Sequence, residues 1–281
     1  MVEASKKFPR RDLLRFGAYT AAGVALAACV SKRLPQKEIV QENDERIGGD
    51  LEKFKIGDSQ KEYYLNKEKH QVISSNLADP EEREAVESVL AVATGFPEGA
   101  GMISNSEKRD TSSFMENGVG KRGAAQVFIG FEIFKIGENL NKFFEDFGDK
   151  EIDLVVFSLG GKALPELKEK YWGKIKSLRI VSSWGGPKTL AKDAYKKVAE
   201  IASITDVLNV SSTEEYSEQI AGLIKNLQER GVAIEVVLSA GANDGMIDNE
   251  EVKNLMRGLS VDNIIEKKRG HSPTENEMAE W

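Results

Sequence analysis

Imidazole is scarce in this chain of 281 residues, which holds two histidines, His70 and His271. His271 lies in Arg269-Gly270-His271-Ser272-Pro273, just past a short apolar run near the C-terminus. Far upstream the apolar residues 154–157, after Asp153, break into Ser158-Leu159-Gly160-Gly161, and between the two lies Gly241-Ala242-Asn243-Asp244. A serine hydroxyl at its free pKa is a weak nucleophile and needs a base beside it, and His271 is the imidazole of the C-terminal half. A carboxylate on the second ring nitrogen would fix the tautomer and stabilise the imidazolium as it forms. Ser158, Asp244 and His271 are therefore the candidate catalytic residues, for acyl transfer through a covalent serine intermediate. Each has a plainer reading alone: an ordinary strand-to-helix turn, an Asn-Asp-Gly turn residue, a surface histidine. Their order along the chain, and the apolar run before each, favour the joint reading. Asp248 is a second acid nearby, read here as the N-cap of the helix that follows.

Other chemistries find less to work with. Two histidines and one cysteine leave no histidine cluster for a metal, and neither metal nor cofactor is expected. The glycine-rich residues 95–101 lack the Lys-Ser/Thr of a phosphate-binding loop and do not complete a dinucleotide fingerprint. Lys and Arg number 39 against 46 Asp and Glu, a mildly acidic balance without the basic footprint of a nucleic-acid binder.

The elements that would position the three side chains alternate. Residues 54–56 and 62–65 suggest a short antiparallel pair. A helical start over 80–87 is followed by apolar, partly β-branched residues 89–96, read as a buried strand. Residues 127–131 and 152–157 read as strands around a helix whose apolar positions Leu140, Phe143, Phe144 and Phe147 recur at helical spacing before Gly148. Downstream come a helix over 163–172, a strand over 178–181, helices over 188–204 and 213–230, a strand over 232–238, a helix over 250–259 and a strand over 263–265. The helix at 213–230 carries the clearest pattern. Tyr216, Ile220, Leu223, Ile224 and Leu227 form one stripe, Ser212 and Glu215 have capping-box spacing, and Gly231 can end it in the left-handed region. Such alternation predicts an α/β fold with a mainly parallel, doubly wound sheet, whose loops at the carboxyl ends of the strands collect the chemistry.

Within that frame residues 153–161 resemble the nucleophile elbow of α/β-hydrolases, residues 241–250 their acid-bearing loop and following helix, and Gly270-His271 their last catalytic turn. The resemblance runs from Val89 to the C-terminus. It implies an oxyanion hole built from the N–H of Leu159 and, in the Thr94-Gly95-Phe96-Pro97 loop, the N–H of Phe96. It also implies a small helical lid, placed over residues 184–231, and an ester, thioester or amide of a small molecule as substrate. Some positions depart from the family pattern: Val156 stands where a small residue is usual, Phe157 and Thr94 where histidine is common, and Pro165 falls in the first turns of the expected helix. A noncatalytic binding or scaffold protein on the same fold is the alternative.

The first residues have another purpose. Arg10-Arg11 precedes an apolar, small-residue stretch over 16–28, shorter than the ~20 residues that span a bilayer comfortably. It reads as an export signal over residues 1–28 and resembles twin-arginine signals. Leu26-Ala27-Ala28-Cys29 resembles the lipobox of bacterial lipoproteins, and Cys29 is the one cysteine of the chain. Acylation of Cys29 would anchor the exported protein to a membrane of the cell envelope. Residues 29–50 are charged and read as a linker, leaving 51–281 as the hydrolase-like domain.

Overall fold

The computed structural model describes residues 51–55, 62–66, 68–94, 125–130, 135–191, 212–240, 244–271, 273–274 and 277–278. Among the described residues nine strands form one sheet: β1 (Leu51–Lys55), β2 (Glu62–Asn66), β3 (Gln71–Ser74), β4 (Ser88–Ala93), β5 (Ala125–Ile129), β6 (Glu151–Phe157), β7 (Ile175–Val181), β8 (Ala233–Ser239) and β9 (Ile264–Lys267). Their order across the sheet is β1-β2-β3-β5-β4-β6-β7-β8-β9. From β5 to β9 every pairing is parallel, while β1, β2 and β3 add an antiparallel edge. The architecture is thus the mainly parallel α/β sheet that the alternation predicts. Strand β3 escaped the sequence reading because four residues beginning with Gln71 show neither an apolar run nor an alternation.

Topology decides where a ligand site can lie. The steps β5→β6→β7→β8→β9 all run one way across the sheet. Right-handed crossovers place such connections on one face, and helices α1 (Ser75–Ala78), α3 (Ile136–Phe147), α4 (Thr213–Glu229) and α5 (Asn249–Gly258) all contribute to one core cluster. The short helix α2 (Pro80–Glu84), capped by Asp79 through the N–H groups of Glu81 and Glu82, precedes β4. The step β4→β5 runs the other way, through residues 95–124 that lie outside the described ones. Strand residues alternate between the faces: Ile152, Leu154 and Val156 join the helix-side cluster, whereas Val155 and Phe157 join a second cluster with Val92, Val181, Val237 and Met278. The reversal of direction at the β4/β6 boundary is a topological switch point, the place where open α/β sheets bind ligands at the carboxyl ends of their strands.

Helix α4 follows its sequence closely. Ser212 Oγ accepts from Glu215 N–H at 3.1 Å, Gly231 takes φ +69°, and the whole apolar stripe from Tyr216 to Leu227 is buried. Each such side chain contributes about 1.5–3 kcal/mol by leaving water. This helix lies in the main core as the β7→β8 crossover, a layer position rather than a cover. Of the segment expected as a lid, residues 192–211 lie outside the described ones, as does most of the expected 188–204 helix; Pro187–Thr189 form a 3-10 turn.

The expected α-helix over 163–172 is replaced by two 3-10 runs, Ser158–Glu166 and Glu169–Lys174. Pro165 supplies the reason. An α-helix would ask its missing N–H to bond the Gly161 carbonyl, and that carbonyl instead accepts from the buried Tyr216 hydroxyl at 3.1 Å. Among the described residues no helix is long and apolar enough to cross a membrane. Cys29, the export signal and the linker lie outside them.

Candidate active site

Strand β6 ends at the switch point, and the next residue is Ser158. Its φ of +52° is left-handed, rare for a residue with a side chain and worth about 1–3 kcal/mol of strain. Surrounding bonds hold it there. The Ser158 carbonyl accepts from Trp184 N–H and from Ser183 Oγ, both at 2.9 Å. Two residues on, a Cβ at Gly160 would fall on the Ala93 carbonyl, so only glycine lets the turn pass over the end of β4. Thr94, at that end, gives both its N–H and its hydroxyl to the Ile129 carbonyl at 3.2 Å.

The departures at the elbow find places in the packing. Val156 is fully buried on the helix side, opposite Ala93 of β4, whose small side chain leaves room for the β-branched one. Phe157 turns to the other face and packs its ring 5.3 Å from the His271 imidazole.

Five residues beyond β8 stands Asp244, whose Oδ1 accepts from the N–H groups of Met246 and Ile247 at 2.9 Å, so the carboxylate folds its own turn. That turn is tied to the stretch after β7: Ala191 N–H bonds the Met246 carbonyl at 3.0 Å and Asp248 N–H the Thr189 carbonyl at 2.7 Å. Asp248 caps α5, its side chain accepting from Glu251 N–H at 3.3 Å, as its spacing implies.

His271 follows β9 and completes the group. Its Nε2 lies 2.8 Å from Ser158 Oγ, and its Nδ1 lies 3.0 and 3.1 Å from the two oxygens of Asp244. The Asp244 side chain is wholly buried and the His271 side chain 17 % exposed. Burial pushes the Asp244 carboxyl up; the hydrogen bond and charge of His271, with the two backbone N–H groups, outweigh it and hold its pKa below the ordinary aspartate value. An ionised carboxylate can only accept. The imidazole therefore keeps its proton on Nδ1 and turns the Nε2 lone pair toward the serine hydroxyl.

Leu159 is the second residue of the 3-10 run that begins at Ser158, half-buried. The N–H groups that open a helix lack partners within it. Phe96, expected to furnish the second oxyanion donor, lies outside the described residues. Among the described residues no group of three or more His, Cys, Asp or Glu side chains is arranged to hold a metal ion. Two residues near the site escaped the sequence reading: Arg269 and Glu277, a buried ion pair at 2.8 Å beneath the His271 loop. Thr274 and Glu277 stand at capping-box spacing, a signal that could have singled out Glu277.

Ser158, Asp244 and His271 thus gather in that chain order at the carboxyl edge of a mostly parallel sheet. No family model matches the sequence, and no curated protein matches it. Among solved structures the chain is similar to carboxylesterase CesB of Bacillus subtilis, at 12% identity over 81% of this chain and 87% of that one, with a TM-score of 0.43. It is similar also to naproxen esterase of Bacillus subtilis, at 12% identity over 79% and 85% with a TM-score of 0.44. A third is 2-hydroxy-6-oxo-6-phenylhexa-2,4-dienoate hydrolase of Rhodococcus sp. strain RHA1, at 12% identity over 79% and 92% with a TM-score of 0.44. The grounds for any chemistry in this chain are its own side chains.

Proposed function

We propose that this chain is a serine hydrolase that cleaves a carboxylic ester, or a related thioester or amide, through an acyl-Ser158 intermediate. One observation carries the reading: side chains from the ends of three different strands form a continuous carboxylate–imidazole–hydroxyl line. In the reaction Ser158 Oγ attacks the acyl carbon while His271 Nε2 takes its proton, and Asp244 stabilises the imidazolium. The carbonyl oxygen becomes an oxyanion, bound by the N–H of Leu159 and by that of Phe96. His271 returns the proton to the leaving oxygen, nitrogen or sulfur. Water, deprotonated by the same imidazole, then attacks the acyl-enzyme and frees Ser158.

The strained φ of Ser158 supports the assignment, because strain of this kind persists only where the surroundings over-determine it. The noncatalytic alternative rests on Val156 in the elbow, a residue that packs fully buried beside Ala93. Export and anchoring through Cys29 belong to the proposal on the strength of the sequence alone. The substrate is a small molecule, with no nucleic-acid partner. Hydrolysis of a short-chain nitrophenyl ester tests the activity: the wild type should turn over with an initial burst, and Ser158→Ala should remove burst and turnover together. An inactive, folded wild type would favour the noncatalytic alternative.

A further inference from the structure

A second set of bonds joins the base and the nucleophile without using the side chain of either. Arg269 stands two residues before His271, its side chain 2 % exposed, against Glu277 at 9 %. Arg269 Nε donates to Glu277 Oε1 at 2.8 Å. Its Nη1 donates to the carbonyls of Gly270 at 2.9 Å and His271 at 2.7 Å, and to Ser182 Oγ at 3.1 Å. Ser182 is itself held in the left-handed region at φ +38°, with its N–H on the Val237 carbonyl at 2.8 Å. The next two residues, Ser183 and Trp184, are those that bind the Ser158 carbonyl. The segment 182–184 thus abuts the nucleophile's turn on one side and, through Arg269, the base's loop on the other.

Glu277 is fixed in turn. Its Oε2 accepts from Thr274 N–H at 2.9 Å and from the Thr274 hydroxyl at 3.0 Å, and its own N–H reaches Thr274 Oγ1 at 3.3 Å, a reciprocal capping box. From the opposite side Ser239 Oγ donates to the carbonyls of Arg269 and Gly270. Burying an ion pair adds little net stability, since the desolvation of both charges offsets their attraction. The bonds that distinguish this pair are those to the loop carbonyls.

We infer that Arg269, oriented by Glu277, is a positioning residue that sets the reach of His271 Nε2 to Ser158 Oγ. The geometry stands by itself, and its catalytic consequence rests on the serine-hydrolase reading. Guanidinium suits the task because Nε faces the carboxylate while Nη1 faces the carbonyls. A lysine ammonium has one nitrogen for both sets of acceptors.

The test compares the full chain with Arg269→Lys and Glu277→Gln, each checked for a cooperative thermal transition. Nitrogen-15 spectra of the imidazoles give the tautomer of His271, with His70 as internal reference, and the rate of labelling by a fluorescent phosphonate gives the reactivity of Ser158. Arg269→Lys should leave the His70 signals in place, shift His271 from its Nδ1–H tautomer toward a mixture, and slow labelling about 10²-fold, the cost of misplacing a reacting group by about 1 Å. Folded Arg269→Lys with wild-type His271 signals and wild-type labelling overturns the inference. Should that variant not fold, Glu277→Gln decides by the same two readings: displaced signals support the clamp, unchanged ones refute it. Failure of the wild type to label counts against the hydrolase reading, and the tautomer comparison still decides the clamp.

Discussion

At the scale of single residues, the imidazole of His271 is steered from three directions. Asp244 holds Nδ1, the Phe157 ring lies beside it, and its own backbone carbonyl is bound by Arg269. Asp244→Asn keeps the shape but offers a donor where an acceptor is needed, so the proton moves to Nε2 and blocks the attack. Ester turnover should fall by about 10⁴-fold, measured as kcat, with the fold intact. The same carboxyl makes a pH prediction. Its folded pKa lies below the ordinary value, so it adds stability above the unfolded pKa of about 3.9 and loses it as pH falls through the lower, folded value. Thermal midpoints followed into acid should therefore converge between wild type and Asp244→Asn; a gap that stays constant contradicts the ionised, bonded carboxylate. The three side chains were legible in the sequence because histidine is rare here and each lies just past an apolar run. Arg269 was not, since its bond to Ser182 Oγ spans 87 positions and its bonds to the Gly270 and His271 carbonyls leave no mark in residue type; Glu277 had a signal in its capping-box spacing to Thr274, which the reading passed over.

At the scale of elements, the elbow depends on a close approach that one glycine permits. Gly160→Ala sets a Cβ against the Ala93 carbonyl, where the backbone of β4 cannot give way without breaking its pairing with β5 and β6. The variant should lose ester turnover and also unfold at a lower temperature. Full activity at an unchanged midpoint would mean that the turn does not pack as described. The buried parallel strands were readable as continuous apolar runs, and α4 from its stripe and cap. What followed the elbow was expected as an α-helix in spite of Pro165, whose missing N–H leaves the Gly161 carbonyl to Tyr216, 55 positions away along the chain. Periodicity is a local property, whereas strand β3 is decided by its pairing with β2 and β5.

At the scale of the whole molecule, the direction of the crossovers explains why Ser158, Asp244 and His271 gather at one edge. Connections that step one way from β5 to β9, and the other way from β4 to β5, put a topological switch point at the ends of β4 and β6, and Ser158 directly follows β6. Ahead of this body the sequence carries the arginine pair and Cys29. Two acyl groups on that cysteine would make attachment lasting, at about 0.8 kcal/mol for each buried methylene. Cys29→Ser should therefore move the protein from the membrane fraction to the soluble one without changing its specific activity; retention in the membrane fraction would exclude a lipid anchor at this residue. The most direct test of the catalytic assignment is the mass of the protein after reaction with a phosphonate directed at activated serines. A single adduct on the peptide containing Ser158, absent from Ser158→Ala, is the result expected. No adduct on the folded wild type, or one that persists in Ser158→Ala, would contradict it.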